Sequence, residues 1–347
     1  MKKSSLIFPI LVVALLCGIA TCRFSAPQDI ETGYRRLEGM VFGTFYHITY
    51  DDTTDYHSEI RATLKAFDAS LSMFNPQSII SRFNQNDSTC VADEYFTTCF
   101  LKGQEVSKRT SGAFDMTIAP LVNLWGFGFK NSDNVTRAAV DSIRRFVGYR
   151  LVQLTDSGTL KKRDPRVILD ASSIAKGYAC DIIAQLLQSH GVKNYMVEIG
   201  GEIALQGYNP KGLPWAVGIN RPTEESEEAT PTIDNVLYLT SGGMATSGNY
   251  RRFYYKDGKR YAHTIDPKSG YPVQQDILSS TVIAEDCMTA DAYATAFMVL
   301  GKERSLQILE ADTTLMAYFI VESEEGDSSP YSIVYSPALE KFLEKTH

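Results

Sequence analysis

No long run of lysine or arginine occurs in the 347 residues, which argues against nucleic acid as a partner. No Cys-x-x-Cys pair is present. Scattered cysteines and only 5 histidines argue against a zinc cluster. Neither the Walker A pattern nor the Rossmann glycine fingerprint appears, and there is no internal repeat. A strong charge of one sign is missing too: 34 basic against 41 acidic residues leave −7, which speaks for little beyond solubility.

What is present is apolar mass. Hydrophobic residues make up 44% of the chain, enough for one large domain or two closely joined lobes. The chain opens with Lys2, Lys3 and the stretch LIFPILVVALLCGIA, too short and wrongly flanked for a comfortable membrane span. It ends in GIATC, where a cysteine after small residues resembles the lipobox of bacterial lipoproteins, with Cys22 as the acylated residue. Thr21 departs from the usual small residue there, and ordinary leader removal nearby is the plainer alternative. On either account the mature chain is exported. Residues 1–22 thus read as leader, 23–36 as a polar tether and 37–347 as the folded unit. Among the remaining cysteines, Cys90 and Cys99 are close enough in sequence to form a bridge in an oxidising compartment, though spacing alone does not establish one.

The periodicity is mixed. EGMVFGTFYHITY alternates as a strand ending near Tyr50, and Ile60, Leu64, Phe67 and Leu71 recur at helical spacing. A second helix ends just before Gly112. VILDASSIAKGYACDIIAQLLQSHGV reads as strand, turn and a long helix stopped at Gly191. Strands then dominate, up to the helix from Cys287 and another at ERSLQILEA. Two closing strands complete an α+β pattern.

Several short segments offer chemistry, each weakly. Asp291 and Thr295 share a helix face four residues apart, giving two hard oxygens suited to Mg²⁺ or Ca²⁺. On spacing alone, an aspartate that caps or ion-pairs and a threonine bonded to its own backbone is the stronger account. LDASSIAKGYACD turns from strand to helix, where Lys176 and exposed amides face an anion or where the Ser173 carbonyl meets a cation. Ala113-Phe114-Asp115 and the aromatic pair Trp125/Phe127 suit a planar ring or a buried turn. Gly200-Gly201 mark a tight turn, and SGGMATSGNYRR a polar loop or phosphate site with Arg251 and Arg252. His263 precedes a turn at Asp266-Pro267.

Together and in this order, these segments resemble the ApbE family of FAD:protein FMN transferases. The carrying stretches are FGTFYHITY, SMFNPQSIISRFN, SGAFDMTIAPLVNLWGFG, LDASSIAKGYACD, VEIGGEIALQG, WAVGINRP, ATSGNYRR, HTIDPKSGYPV and TADAYATAFMVLG, from about Gly39 to Gly301. The resemblance implies an ApbE-like, T-fold-related domain of mixed sheets with packed helices. It also implies a Mg²⁺-dependent enzyme that moves FMN from FAD to a threonine hydroxyl of an acceptor protein and releases AMP.

By the same resemblance, Asp291, Thr295 and the Ser173 carbonyl fall on the family's metal ligands. Asp170 and Lys176 match flavin-site positions, and Ala113, Phe114 and Asp115 a loop lining the FAD site. His263 and Ile265 match the segment at the reacting phosphate, with His263 the candidate general base. Phe42 and Phe74 stand where the family usually has methionine and tyrosine, and both still suit flavin packing. The TSGA at Thr110–Ala113 looks like an acceptor motif, yet its place in the FAD loop favours a binding role. The implied partner is a membrane redox subunit carrying a Ser/Thr-Gly-Ala-Thr-type segment. The implied location is the periplasmic side of the inner membrane, reached by the lipid anchor. An FAD pyrophosphatase and a non-catalytic flavin-binding lipoprotein are the alternatives.

Overall fold

The computed structural model describes residues 33–128, 135–156, 158–221, 233–249, 253–256, 259–323 and 329–343, with the backbone alone over 253–262. Cys22, Arg251, Arg252 and the leader lie outside the described residues.

The expected first strand is a hairpin. β1 (Arg35–Val41) and β2 (Thr44–Tyr50) pair antiparallel from Arg35↔Tyr50 to Val41↔Thr44. The two turn residues, Phe42 and Gly43, both take positive φ, 53° and 75°. That conformation matches the twist of the flanking strands, but it is unusual for a phenylalanine. The Phe42 ring is held by packing 5.7 Å from that of Phe67.

Phe67 lies on α1 (His57–Leu71), whose Ile60, Leu64, Phe67 and Leu71 are buried as their spacing requires. α2 (Ile79–Asn84) and α3 (Glu94–Arg109) are each capped by a side chain, Ser78 accepting from Ser81 N and Asp93 from Phe96 N. α4 (Ala119–Leu124) and α5 (Arg137–Ile143) follow, then the small ribbon β3 (Val152–Leu154) and β4 (Leu160–Lys162). Val167–Asp170, expected as a strand, joins no sheet.

The second half builds the frame. α6 (Ala175–Ser189) leads into β5 (Tyr195–Ile199) and β6 (Glu202–Gln206), joined at Gly200-Gly201 as a tight turn. β7 (Trp215–Asn220) and β8 (Ile233–Leu239) form a separate antiparallel pair. β9 (Ser241–Gly248) is a strand, not the polar loop its serines and glycines suggested. β10 (Phe253–Lys256) and β11 (Lys259–Ala262) pair with each other. β12 (Ile277–Ala284), α7 (Cys287–Ala311), β13 (Met316–Glu322) and β14 (Tyr331–Tyr335) complete the chain. α7 is two helices in line, broken at Gly301 (φ 76°, ψ 173°).

One eight-stranded sheet, ordered β1-β2-β5-β6-β9-β12-β13-β14, carries the molecule. All its neighbours are antiparallel. The larger core joins one face to α1, α3, α6 and α7. A smaller cluster on Ile203, Met244, Ile283 and Ile320 packs against β7 and β8. The first half of α7 is buried nearly all round, with Ala290, Ala292, Ala294 and Ala296 fully covered; side chains this small let the helix press onto its neighbours. Cys90, Cys99, Cys180 and Cys287 are buried and free, so no Cys90–Cys99 bridge forms. Among the described residues no helix is long and apolar enough to cross a membrane.

Candidate active site

The site is set by the way α6 and α7 begin. Gly177 lies in the first turn of α6, and a Cβ there would meet the Cys287 carbonyl and sit 2.8 Å from the Asp291 Cβ. Only glycine lets the two helices approach so far. A Cβ on Gly243 of β9 would strike the Cys287 backbone from the other side. Three backbones therefore converge on the start of α7.

Carboxylates exchanged between the helices lock that junction. Asp181 of α6 accepts the N–H groups of Cys287 and Met288, both at 2.8 Å. Asp291 of α7 accepts the Gly177 N–H at 3.1 Å. Each carboxylate takes up amides that the start of a helix leaves without intrahelical partners. Burial drives the Asp181 carboxyl up to about 7, even though two amides favour its charged form. The buried Asp291 carboxyl is raised by desolvation as well, against the pull of Lys176 and Gly177.

Hard oxygen donors lie on α7 and on the turn before α6. In a continuous helix the Gly177 N–H would bond to the Ser173 carbonyl, four residues back. It goes to Asp291 instead, and among the described residues no backbone donor reaches the Ser173 oxygen. Thr295 sits one turn beyond Asp291, and its Oγ1 is 3.2 Å from Ser247 Oγ on β9. No group of three or more His, Cys, Asp or Glu able to hold a metal occurs among the described residues. The set at hand is one carboxylate, one hydroxyl and one carbonyl, which is chemistry for a hard cation.

The charges point the same way. Lys176 forms an ion pair with Glu202 Oε1 at the start of β6. Burial works against its ammonium, but the charges of Asp291 and Glu202 prevail and hold its pKa above the ordinary lysine value. Glu202 is 4% exposed, and its Oε2 has no hydrogen-bond partner among the described residues. Desolvation, reinforced by Asp291, lifts Glu202 to about 7. One ammonium thus faces two buried carboxylates, leaving one carboxylate oxygen unmatched. Such a set accepts a further positive charge readily.

The other expected residues are tied to this junction with varying directness. Asp170 donates its N–H to Met116 O at 2.7 Å, joining the turn before α6 to the Ala113–Asp115 loop. Burial raises the Asp170 carboxyl, against the pull of Ser172, whose N–H it accepts at 2.8 Å. Ala113 packs with Val273 and Val299, the latter on α7. The side chains of Phe114 and Asp115 serve the loop itself. Phe114 is 1% exposed in the core. Asp115 accepts from Thr117 N and Oγ1 and from Tyr149 N. The Thr110 hydroxyl is buried too, donating to Val106 O and accepting from Phe114 N, so the TSGA stretch presents no free hydroxyl at that position. Phe74 is 81% exposed, and Phe42 sits at the hairpin tip.

His263 follows β11 and is partly exposed, its ring edge-on to Phe127 at 6.5 Å. The next residues fix its place. Thr264 Oγ1 donates to Asn249 Oδ1 at 2.6 Å, and Asn249 lies two residues past Ser247, the partner of Thr295. Ile265 is buried beside Leu121, Trp125 and Val140 and bridges to Pro272. Trp125 Nε1 donates to Gly270 O at 2.8 Å, which closes the turn from below.

Sequence reasoning missed Ser247, Glu202, Asp181 and Asn84. Asn84 clamps Leu169 through both its N–H and its C=O, each at 2.8 Å, which holds the turn at Asp170 without a sheet. Only Glu202 carried a signal, a charged residue directly after the Gly200-Gly201 turn.

Comparison with known proteins points to one family. The model of the ApbE family matches residues 42–319. The FAD:protein FMN transferase of Haemophilus influenzae is 38% identical over 341 residues, 94% of this chain and 95% of its own length. That of Vibrio cholerae is 35% identical over 342 residues, 96% of this chain and 99% of its own. The solved flavin transferase ApbE from Vibrio cholerae superposes with a TM-score of 0.78 at 35% identity, covering 89% of this chain and 99% of that one. The apo flavinyl transferase ApbE of Pseudomonas stutzeri gives 0.77 at 31% identity, covering 89% and 96%. The chain belongs to the ApbE family.

Proposed function

We propose that the protein is an FAD:protein FMN transferase that esterifies a threonine of an acceptor protein with the FMN phosphate of FAD. The observation carrying this reading is the α6–α7 junction. There Asp291 accepts the Gly177 N–H, Thr295 lies one turn on beside Ser247, and Glu202 Oε2 has no hydrogen-bond partner among the described residues, which supports a cation at this junction. Asp291, Thr295 and the Ser173 carbonyl fit Mg²⁺ and would hold it. When bound, the ion supplies charge neutralisation to the diphosphate.

The chain's own residues do the rest. The threonine Oγ attacks the FMN-side phosphorus, the bond from that phosphorus to the bridging oxygen breaks, and AMP leaves with the oxygen. His263 takes the hydroxyl proton, a task suited to an imidazole whose unperturbed pKa is about 6.5. Lys176 offsets phosphate charge. Asp170 and the Ala113–Asp115 loop line the flavin with backbone and small side chains, and Phe42 and Phe74 offer rings to it. Ile265 keeps the His263 segment seated. The acceptor carries a Ser/Thr-Gly-Ala-Thr-type segment and belongs to a membrane redox complex. The enzyme reaches it on the periplasmic side of the inner membrane, anchored through lipid on Cys22.

The test is incubation with FAD, Mg²⁺ and such an acceptor. AMP release with flavin fluorescence on the denatured acceptor band supports the reading. AMP with free FMN alone identifies a pyrophosphatase, and no AMP at all rejects both.

A further inference from the structure

Glu202 stands on β6 and not on α7, which carries Asp291 and Thr295, yet it is built into the same cluster. Its backbone carbonyl accepts the Cys180 thiol at 3.2 Å, and its side chain holds Lys176, one turn earlier on α6. Two contacts one helical turn apart fix this glutamate against α6. Its carboxylate is 5% exposed, while the Lys176 side chain is 34% exposed. The lysine side chain is thus the more exposed of the pair and the glutamate the more confined.

Lys176 has a second choice of anion. The neighbouring Gly177 N–H donates to Asp291 at 3.1 Å, which brings that carboxylate to the same turn of α6, and its charge acts on Lys176 as that of Glu202 does. An ammonium resting on Asp291 would compete directly with a divalent cation for that carboxylate. We propose that Glu202 is a positioning residue that holds the Lys176 ammonium away from Asp291, keeping that carboxylate available to the divalent ion. This rests on the reading of the site as a Mg²⁺ site given above. Its consequence is particular: without Glu202, the lysine becomes an internal competitor of the metal.

The experiment is a Mn²⁺ titration of the full-length protein without added FAD followed by electron spin resonance, with Mg²⁺ as competitor. Glu202→Gln keeps the side chain's size but removes the negative charge that holds Lys176. It is expected to weaken binding of both ions about 10–100-fold, the range for loss of a residue supporting a metal ligand. Adding Lys176→Met to Glu202→Gln removes the competitor and is expected to restore affinity to within about threefold of wild type. A purely structural Glu202 predicts no such rescue.

Binding by Glu202→Gln within about twofold of wild type overturns the proposal, as does a double variant no tighter than Glu202→Gln. Should Glu202→Gln not fold, Lys176→Met alone decides. It is expected to bind Mn²⁺ at least as tightly as wild type, and clearly weaker binding overturns the proposal. A wild type that binds neither ion, or releases no AMP from FAD with Mg²⁺, rejects the functional reading itself. A wild type that does both while Glu202→Gln binds normally rejects only the role of Glu202.

Discussion

Gly177 and Asp291 meet across two helices: the glycine N–H donates to the aspartate Oδ2 over 3.1 Å, with no space for a side chain between them. The contact orients the carboxylate and leaves the Ser173 carbonyl without its helical donor. Gly177→Ala is expected to force α6 and α7 apart at a cost of about 1–3 kcal/mol. Transfer should fall more steeply than stability, because Asp291 moves with the helix. Urea melts and AMP release on the same preparation measure the two effects.

Asp291→Ala removes the one carboxylate in the expected metal set. Its turnover should fall to background and no longer respond to added Mg²⁺. Full Mg²⁺-stimulated AMP release in this variant would place the metal elsewhere.

His263→Ala should slow FMN transfer by about 10²–10⁴-fold, the usual loss for a general base. FAD binding, measured by quenching of flavin fluorescence, should remain close to wild type. Unchanged transfer would take the proton to another residue.

Ser247→Ala deletes the hydroxyl facing Thr295 at 3.2 Å. The loss of one neutral hydrogen bond is worth about 0.5–1.5 kcal/mol, so Mg²⁺ affinity should weaken by roughly 2–10-fold with little change in the transfer rate at saturating metal. A larger effect on rate than on affinity would give Ser247 a part in the chemistry.

Stability should depend on pH through Asp181. Its folded pKa of about 7 lies above the ordinary carboxylate value of 3.8. Between the two, the folded chain keeps a proton that the unfolded chain releases. The stabilisation is complete at low pH and is lost as pH rises through about 7. Glu202, also raised to about 7, acts in the same direction. Asp181→Asn removes one of these contributions, so the fall in unfolding free energy between about pH 5 and about pH 7.5 should be shallower than in wild type. An unchanged slope would mean that the α7 amides keep Asp181 ionised throughout.

Much of this was legible in the sequence where the pattern was periodic. α1, α6 and α7 follow from apolar spacing, and Gly112 and Gly191 stop their helices at positive φ as expected. β9 was not legible: its Ser, Gly and Thr residues have the composition of a loop, and it is a central strand because α7 presses on it, which no local pattern encodes. Val167–Asp170 misled in the opposite sense, since an apolar run looks the same whether a neighbouring strand or one asparagine satisfies its backbone. In the site, the sequence offered expectations only where a family match stood. Ser247 and Asp181 gave no signal, because they act through partners 48 and 106 positions away, and Glu202, whose partner is 26 away, only its place after the glycine turn.

The meeting of α6, β9 and α7 at Cys287 turns that thiol into a natural clock. It is fully covered, and glycines crowd its backbone from two sides. A maleimide can reach the sulfur only after those three segments have parted. Its labelling rate, set beside that of the less deeply covered Cys90, would therefore time how often the enzyme's centre comes open while the remainder stays assembled.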